Sequence, residues 1–325
     1  MDQLHTPVLL ITYKRIDTTE RVIESIANAR PLKLYIASNA PNPVKADDEE
    51  KVNAVRQMLE KKINWPCSVI KLYREEQLSA KDSISSAITW LFDNEDEGII
   101  LEDDILPDTS FFGYCEVMLE KHRNDNRVRF INGCNFGYNG LKNETYGFTR
   151  FMNMWGWATW KRSIDLVDFS MKEWNALVDK EKFLADVLEG QQVKTKRIAI
   201  DYFKKTFDST YNSVINTWDY QCIFSNFLTK TYCIYPAKNL VRNLGFNNEG
   251  THTNFEPYFL VDLQLNKIYF PLKDNPTMAI NAAYEEFVIE RWANLKIRNR
   301  LYYSWKYRSY LLKKMIRKNF GNANK

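Results

Sequence analysis

The sequence lacks long hydrophobic runs and paired cysteines. No apolar segment approaches the roughly 18–20 residues that a membrane-spanning helix requires, and the first residues include neither a basic region nor a cleavage site for export. The five Cys residues are scattered, without a CxxC pair, which argues against a disulfide framework or a zinc knuckle. Together these absences predict a cytoplasmic protein.

Several common catalytic signatures are also missing. The chain has no GxGxxG fingerprint, no P-loop, no HExxH and no GxSxG. Dinucleotide oxidoreductases, P-loop kinases, zincins and α/β-hydrolases are therefore not first choices. What is present is an ordinary globular composition, with 45% hydrophobic and 26% charged residues in 325, which is enough for one large α/β domain or two smaller ones.

Charge is distributed unevenly between the body of the chain and its end. Residues 291–325 hold 11 Lys and Arg and no acid, so residues 1–290 carry 34 basic and 41 acidic side chains. Because a nucleic-acid enzyme would spread positive charge over its folded body, nucleic acid is not an expected partner. On a helix, the tail would have an apolar row opposite a basic one: Leu301, Trp305, Leu312 and Ile316 against Lys306, Lys313, Lys314 and Arg317. Such a helix predicts binding to an anionic membrane surface, with docking on the body or on a second subunit as alternatives.

The first 135 residues alternate between strand-like and helical periodicity. Short apolar runs predict strands at 7–13, 34–37, 68–73, 98–101 and 128–132. Apolar side chains at helical spacing separate the first four runs: Val22, Ile23 and Ile26, then Val52, Val55, Leu59 and Ile63, then Ile84, Ile88 and Leu91. Residues 17–20 are expected to form a capping box, and Ser79 with Asp82 to begin the third helix. The pattern predicts a mainly parallel sheet covered on both faces.

After about residue 140 the alternation stops. Residues 145–175 are rich in aromatic side chains, and residues 200–260 mix short strand-like and helical pieces with Asn, Thr and Gly turns. No linker or internal repeat separates this half from the first. We therefore expect it to be built onto the sheet rather than to fold as an independent domain.

Three acids follow one of the predicted strands. The sequence IILEDDILPD places Glu102, Asp103 and Asp104 at the carboxyl end of a buried strand, where open α/β sheets bind ligands. Alternation along an extended chain predicts that Glu102 and Asp104 share one side while Asp103 faces the other. Such carboxylates suit Mg²⁺ or Mn²⁺ holding a substrate diphosphate. The alternative is a solvated acidic turn that ends a strand.

A further acid lies between large aromatic side chains. In TWDYQ, Asp219 is flanked by Trp218 and Tyr220. Surroundings of low polarity favour a carboxylate that takes a proton from a hydroxyl. Asp219 could instead cap a helix that carries the apolar run starting at Cys222.

The segment MWGWATW is the richest in tryptophan. Gly156 between Trp155 and Trp157 would allow close backbone approach, and indole faces pack well against sugar rings. A core aromatic cluster is the alternative.

A Gly-punctuated loop over residues 243–253 contains His252, one of only three His in the chain. A His in this position could ligate a metal or contact a phosphate. It could equally be an ordinary loop residue.

Taken in order, these segments resemble the GT-A-fold glycosyltransferases of the N-acetylglucosaminyltransferase I type and their bacterial relatives. The resemblance spans about residues 6–260 and consists of TPVLLITYKR, IILEDDILPDTSFFGY, MWGWATWKR, TWDYQ and YPAKNLVRNLGFNNEGTHT. It implies an α/β GT-A fold: a Rossmann-like, mainly parallel sheet with flanking helices and an aromatic-rich acceptor region. One domain is then expected over residues 1–290, with a nucleotide-sugar-binding half at 1–135 and an acceptor half at 136–290. The basic amphipathic helical tail follows at 291–325.

The resemblance also implies a role for each candidate residue. Asp104 would ligate Mn²⁺ or Mg²⁺. Asp219 would be the base that deprotonates the acceptor hydroxyl for attack on the anomeric carbon, with inversion. The nucleotide-diphospho-sugar donor would contact residues that follow the predicted strands or lie in nearby loops and helix starts: Arg15, Asn39, Lys81, Glu102, Asp103 and His252. The sugar would contact the aromatic segment and the residue before the base: Trp155, Gly156, Trp157 and Trp218.

Two positions depart from the family pattern. Asn39 stands where the family has a base-recognising Asp, which leaves uracil specificity open, and the WDDW form of the base motif is reduced to WDYQ. The predicted activity is metal-dependent, inverting transfer of a hexosyl or N-acetylhexosaminyl group to a glycan or lipid-linked glycan, as in polysaccharide biosynthesis. The enzyme would be cytoplasmic or peripheral at the inner face of the cell membrane.

Two other classes compete with this prediction. A non-catalytic carbohydrate-binding protein on a degenerate transferase scaffold would explain the Trp-rich segment. A sugar nucleotidyltransferase would normally have a Gly-rich loop after the first strand, whereas residues 12–15 contain no glycine.

Overall fold

The computed structural model describes residues 3–246, 257–261, 263–275 and 277–293, together with positions 298, 301 and 304–306. His252 and most of the basic tail lie outside the described residues. Within the described part, no helix has the length and apolar composition needed to cross a membrane. Each of the five Cys residues is a free thiol.

Ten strands form two sheets. In chain order they are β1 Val8–Thr12, β2 Lys33–Ser38, β3 Ser68–Tyr73, β4 Glu97–Glu102, β5 Ile105–Pro107, β6 Val128–Asn132, β7 Tyr146–Thr149, β8 Trp157–Trp160, β9 Tyr232–Pro236 and β10 Val241–Asn243. The central sheet has eight strands in the order β3-β2-β1-β4-β8-β6-β9-β7. In this sheet β7 and β8 run antiparallel to their neighbours and the remaining pairs are parallel. Strands β5 and β10 form a separate antiparallel pair.

Helices flank the sheet. In chain order they are α1 Ile16–Ala29, α2 Asp48–Lys62, α3 Ala80–Asn94, α4 Thr109–His122, α5 Lys161–Ile164, α6 Lys172–Ala176, α7 Lys180–Val187, α8 Val193–Tyr211, α9 Asp219–Thr229 and α10 Ala282–Ala293. Strand β4 lies in the middle of the sheet and contacts both α3 and α4. The predicted fold class is confirmed: a mainly parallel central sheet with flanking helices, in a Rossmann-like arrangement.

The five strands predicted in the first 135 residues are confirmed, each to within one residue at its ends. Apolar runs identify them because parallel strands are covered on both faces and carry apolar side chains on both. The start of α3 is also as predicted, since the Ser79 hydroxyl accepts a hydrogen bond from the Asp82 amide at 3.2 Å.

The predicted capping box at residues 17–20 is wrong. Helix α1 begins at Ile16, and Arg15 occupies the capping position without a side-chain cap. The four residues therefore lie inside the helix, where the Thr19 hydroxyl donates to the Arg15 carbonyl at 2.5 Å. Hydrogen bonding back along the chain is an ordinary alternative for a Thr within a helix.

The order of strands creates one crevice at an edge of the sheet. From β1 the chain moves outward to β2 and β3, then returns to place β4 on the other side of β1. Open α/β sheets bind ligands at such a switch point, outside the carboxyl ends of the strands. Here these ends lead into Arg15 after β1 and into Asp103 and Asp104 after β4.

Candidate functional site

The acidic motif and Arg15 meet at the switch point. One Arg15 guanidinium nitrogen lies 3.2 Å from Asp103 Oδ1 and also forms an ion pair with Asp104. Asp103 is buried against β1, where it accepts the Tyr13 amide at 3.0 Å. Glu102 and Asp104 both line a cavity instead. The predicted division of the three acids between two sides is therefore observed.

The carboxylates are strained electrostatically. Loss of solvent, followed by the charges of Asp104 and Asp103, raises the pKa of Glu102 well above its usual range. Burial, only partly offset by Arg15, raises the pKa of Asp103 to about 6. Burial acts to lower the pKa of Arg15, but the charges of Asp103 and Asp104 outweigh it and raise that pKa. The site therefore holds more negative charge than one guanidinium neutralises, and a further cation would be stabilised there.

Asp219 reaches the same cavity from the amino end of α9. Its carboxylate accepts the Tyr220 amide at 2.8 Å and the hydroxyl of Thr217. The preceding loop is attached to the first half of the chain, because Asn216 Oδ1 accepts the backbone amide of Lys81 at 2.9 Å. Sequence reasoning offered a base or a helix cap; the structure places Asp219 in the first turn of α9 with its carboxylate on the cavity.

The cavity has a volume of about 350 Å³, within the range of roughly 300–1,000 Å³ typical of small-molecule sites. Its lining combines the switch point, the loop before α9 and the segment after β10: Arg15, Ala80, Ile84, Glu102, Asp104, Trp155, Asn216, Thr217, Trp218, Asp219, Asn243, Gly245 and Phe246. Residues far apart in sequence thus converge on one concave surface.

The four predicted sugar-contacting residues divide into two groups. Trp155 and Trp218 line the cavity. Trp157 is buried in β8 and stacks on Trp218 with ring centroids 5.8 Å apart, so it supports Trp218 from behind. Gly156 has φ +59°, and a Cβ there would meet Val241 at 2.8 Å. Its role in the structure is a left-handed turn with close packing.

The remaining predicted donor contacts lie apart from the lining. Asn39 is buried, and its amide bonds the backbone of Leu78 in both directions, at 2.9 and 3.1 Å. It therefore anchors the end of β2 to the start of α3. The backbone amide of Lys81 is held by Asn216, and Lys81 itself is not among the lining residues. His252 lies outside the described residues, so its predicted role stays a prediction.

Sequence reasoning missed the residues that β10 brings to the acids. Pairing of β5 with β10 places Leu244 beside Asp104, and the Leu244 amide donates to the Asp104 carbonyl at 2.7 Å. At Gly245 a Cβ would lie 2.1 Å from Asp104 Oδ2, so only glycine permits this approach. The signal available was the glycine itself, in the loop singled out for His252. Nothing local marked Asn216.

The donor atoms of the site fit a divalent cation that binds together with a diphosphate. Glu102 and Asp104 present carboxylate oxygens, the hard ligands that Mg²⁺ and Mn²⁺ prefer. Within the part of the chain that the structure describes, no three His, Cys, Asp or Glu side chains are arranged to hold a metal by themselves. Mg²⁺ commonly binds through one or two carboxylates plus substrate phosphates and water.

Comparisons with known proteins give weak structural likenesses only. No protein-family model matches the chain, and no curated protein matches it significantly. Among solved structures, a mannosyltransferase from Pyrobaculum calidifontis in complex with GDP-Man and Mn²⁺ is 12% identical, with a TM-score of 0.39 over 70% of this chain and 75% of that one. A UTP-bound UGPase from Acinetobacter baumannii is 7% identical, with a TM-score of 0.34 over 71% and 85%. The 4-diphosphocytidyl-2C-methyl-D-erythritol synthase from Anaerococcus prevotii is 10% identical, with a TM-score of 0.33 over 70% and 96%. TM-scores this low carry no argument about function, which has to follow from the site itself.

Proposed function

We propose that this protein is a metal-dependent, inverting glycosyltransferase that uses a nucleotide-diphospho-sugar. One observation carries the proposal. Asp104 and Asp219, which are 115 positions apart, line the same cavity at the topological switch point of the sheet. A carboxylate suited to a metal–diphosphate and a carboxylate suited to a hydroxyl proton thus face one small volume.

The reaction needs few groups from the protein. The acceptor hydroxyl oxygen bonds to the anomeric carbon, the bond from that carbon to the diphosphate breaks, and the hydroxyl proton passes to Asp219. General-base assistance of this kind contributes about 10²–10⁴-fold. A divalent cation on Asp104 would supply charge neutralisation for the departing nucleoside diphosphate. A single displacement requires no enzyme nucleophile, and attack opposite the leaving group inverts the anomeric centre.

The sugar-facing side of the cavity favours a glycosyl donor. Trp155 and Trp218 present indole surfaces beside Asp219, and aromatic faces pack well on the apolar faces of sugar rings. Ala80 and Ile84 add an apolar wall at the start of α3. The more specific likeness to the N-acetylglucosaminyltransferase I type, and with it a hexosyl or N-acetylhexosaminyl donor, rests on the order of the sequence motifs.

The nucleotide base is proposed to bind near the carboxyl end of β2. Asn39 uses its amide on the backbone of Leu78 and Ala40, so it shapes this end of the crevice without reading the base directly. The proposed acceptor is a glycan or lipid-linked glycan, and the tail is proposed to hold the enzyme at the inner face of the cell membrane through anionic lipid.

Calorimetric titration with a panel of nucleoside diphosphates, with and without Mn²⁺, tests the proposal. We expect one nucleoside diphosphate to bind only with the metal, and Asp104→Asn to weaken that binding at least about tenfold. Asp125→Asn, which alters an acid paired with Arg127 away from the cavity, is the matched control. If no nucleotide binds under any condition while free glycans do, the protein is a carbohydrate-binding protein and the proposal is wrong.

A further inference from the structure

A second cavity opens on the other side of Asp219. Its volume is about 210 Å³, and it shares Trp155, Asp219 and Phe246 with the first cavity. The general base proposed above therefore stands in the wall between two cavities. One of them is lined by acids, and the other is mainly aromatic.

Rings from separate elements build the aromatic cavity. Tyr202 comes from α8, Tyr220 from α9 and Trp292 from α10. Trp292 packs against Tyr202 with ring centroids 6.1 Å apart and against Phe136 at 6.0 Å. Phe136 in turn contacts Phe259 at 5.9 Å. Mutual packing fixes the orientation of these rings before any ligand arrives, which lowers the entropic cost of binding.

The cavity contains one neutral polar feature. The hydroxyls of Tyr202 and Tyr220 are 2.9 Å apart. Burial raises the pKa of Tyr202 to about 12 and that of Tyr220 well above its usual range, so both hydroxyls stay protonated at neutral pH. Among the described residues that line this cavity, Asp219 is the one charged side chain. A negatively charged ligand would be repelled, whereas an uncharged ligand with hydroxyl groups would find both donors and acceptors.

We propose that the aromatic cavity binds an uncharged sugar ring of the acceptor, with the reacting hydroxyl directed at Asp219. This inference rests on the proposed function and names the acceptor class for it. The volume is below that of pockets for drug-sized ligands, roughly 300–1,000 Å³, and suits a single ring. A sugar ring offers an apolar face to Trp292 and hydroxyls to the tyrosine pair. An alkyl chain would leave the buried hydroxyls without partners, which is costly.

The probes are simple glycosides, followed by saturation-transfer difference NMR. The uncharged set is the methyl glycosides of glucose, galactose and N-acetylglucosamine; methyl glucuronide is the charged comparison and 1-hexanol the alkyl one. We expect at least one uncharged glycoside to receive saturation, and the other two probes not to. Tyr202→Phe should weaken its binding about fivefold, and Trp292→Leu about tenfold or more.

Trp90→Leu is the matched control, because Trp90 packs on Tyr35 away from both cavities. It should leave glycoside binding unchanged. Tyr202→Phe removes a single oxygen atom, so it keeps the test valid if Trp292→Leu does not fold. Saturation of 1-hexanol alone, equal saturation of methyl glucuronide, or glycoside binding unaffected by Tyr202→Phe would overturn the inference.

The nucleoside diphosphate titration separates this inference from the proposed function. If a nucleoside diphosphate binds with metal but no glycoside reaches the aromatic cavity, the acceptor assignment alone is wrong. If no nucleoside diphosphate binds but glycosides do, the proposed function fails and the cavity is a carbohydrate-binding site of another kind.

Discussion

Arg15 and Asp104 form an ion pair across the ends of β1 and β4, although they are 89 residues apart in the chain. The pair lies in the wall of the cavity proposed to bind the donor, and both side chains are largely shielded from water, with 18% and 14% exposed. The guanidinium thus occupies the neighbourhood in which a metal–diphosphate would bind. Arg15 compensates the acidic motif in the free protein, and it can turn to the diphosphate once a divalent cation takes its place.

Removing Arg15 should destabilise the free protein and increase its response to metal. In Arg15→Gln, the carboxylates of Asp103 and Asp104 lose their buried partner. We expect a loss of about 2 kcal/mol in the free energy of unfolding, less than for a fully buried pair because the groups are partly exposed. Mn²⁺ should then raise the melting temperature of the variant more than that of the wild type.

The control for this prediction is Arg123→Gln, which breaks a more exposed pair with Glu97. Its melting temperature should not become more sensitive to Mn²⁺. An equal effect of Mn²⁺ on wild type, Arg15→Gln and Arg123→Gln would contradict the proposed metal position.

A methyl group at Gly245 should disturb the metal–diphosphate site without unfolding the protein. The added Cβ would lie 2.1 Å from Asp104 Oδ2, so the carboxylate must move. We expect Gly245→Ala to weaken binding of the nucleoside diphosphate with Mn²⁺ about tenfold, because a displaced ligand misplaces the cation. Gly190→Ala is a useful comparison: with φ +88° and open space around it, it adds backbone strain but should leave binding intact.

His122 should make the protein less stable in mild acid. Burial lowers its pKa, and its Nε2 has no hydrogen-bond partner among the described residues. The unfolded chain takes up the proton first, near pH 6.5. The stability associated with neutral His122 is therefore complete above about pH 6.5 and is lost as the pH falls toward the folded pKa.

His122→Phe should flatten this dependence, since the ring would pack between Tyr146 and Phe148 without a titrating group. Urea unfolding between pH 7.5 and pH 5 measures the effect, with a change in slope of at most about 1.4 kcal/mol per pH unit. An identical pH dependence for variant and wild type would show that His122 does not contribute.

The tail should bind anionic membranes through its basic row. Trp305 is 66% exposed and Leu301 is 65% exposed, while Lys313, Lys314 and Arg317 lie outside the described residues. At about 1 kcal/mol per basic residue near the surface, reversing these last three charges should abolish co-sedimentation with vesicles containing phosphatidylserine. The matched control reverses three exposed lysines of the body, Lys194, Lys205 and Lys230. Equal retention of both triple variants on the vesicles would contradict a role for the tail.

Local sequence predicted the part of the fold that local forces determine. The strands of the first half carry continuous apolar runs, and Ser79 provides the cap of α3 through a hydrogen bond within one turn. The capping box at residues 17–20 failed because the chain continues as helix directly from Arg15, whose side chain is fixed by Asp103 and Asp104 rather than by its neighbours in sequence.

The site was predictable only where its motifs are contiguous. Glu102, Asp104 and Asp219 were found from their immediate neighbours. Gly245 and Asn216 were not, because their positions depend on pairing between β5 and β10 and on a hydrogen bond to Lys81, both across more than 130 residues. Trp157 shows the reverse: the motif identified an aromatic cluster, but only the sheet decides which ring faces the core.

The stereochemistry of transfer tests the central claim most directly. The nucleotide sugar chosen by titration and the glycoside chosen by NMR would be incubated with Mn²⁺, and the anomeric configuration of the product read from its proton coupling. We predict inversion by the wild type, and about 10²–10⁴-fold slower transfer by Asp219→Asn with donor binding unchanged. A product of retained configuration, or full activity in Asp219→Asn, would contradict the account.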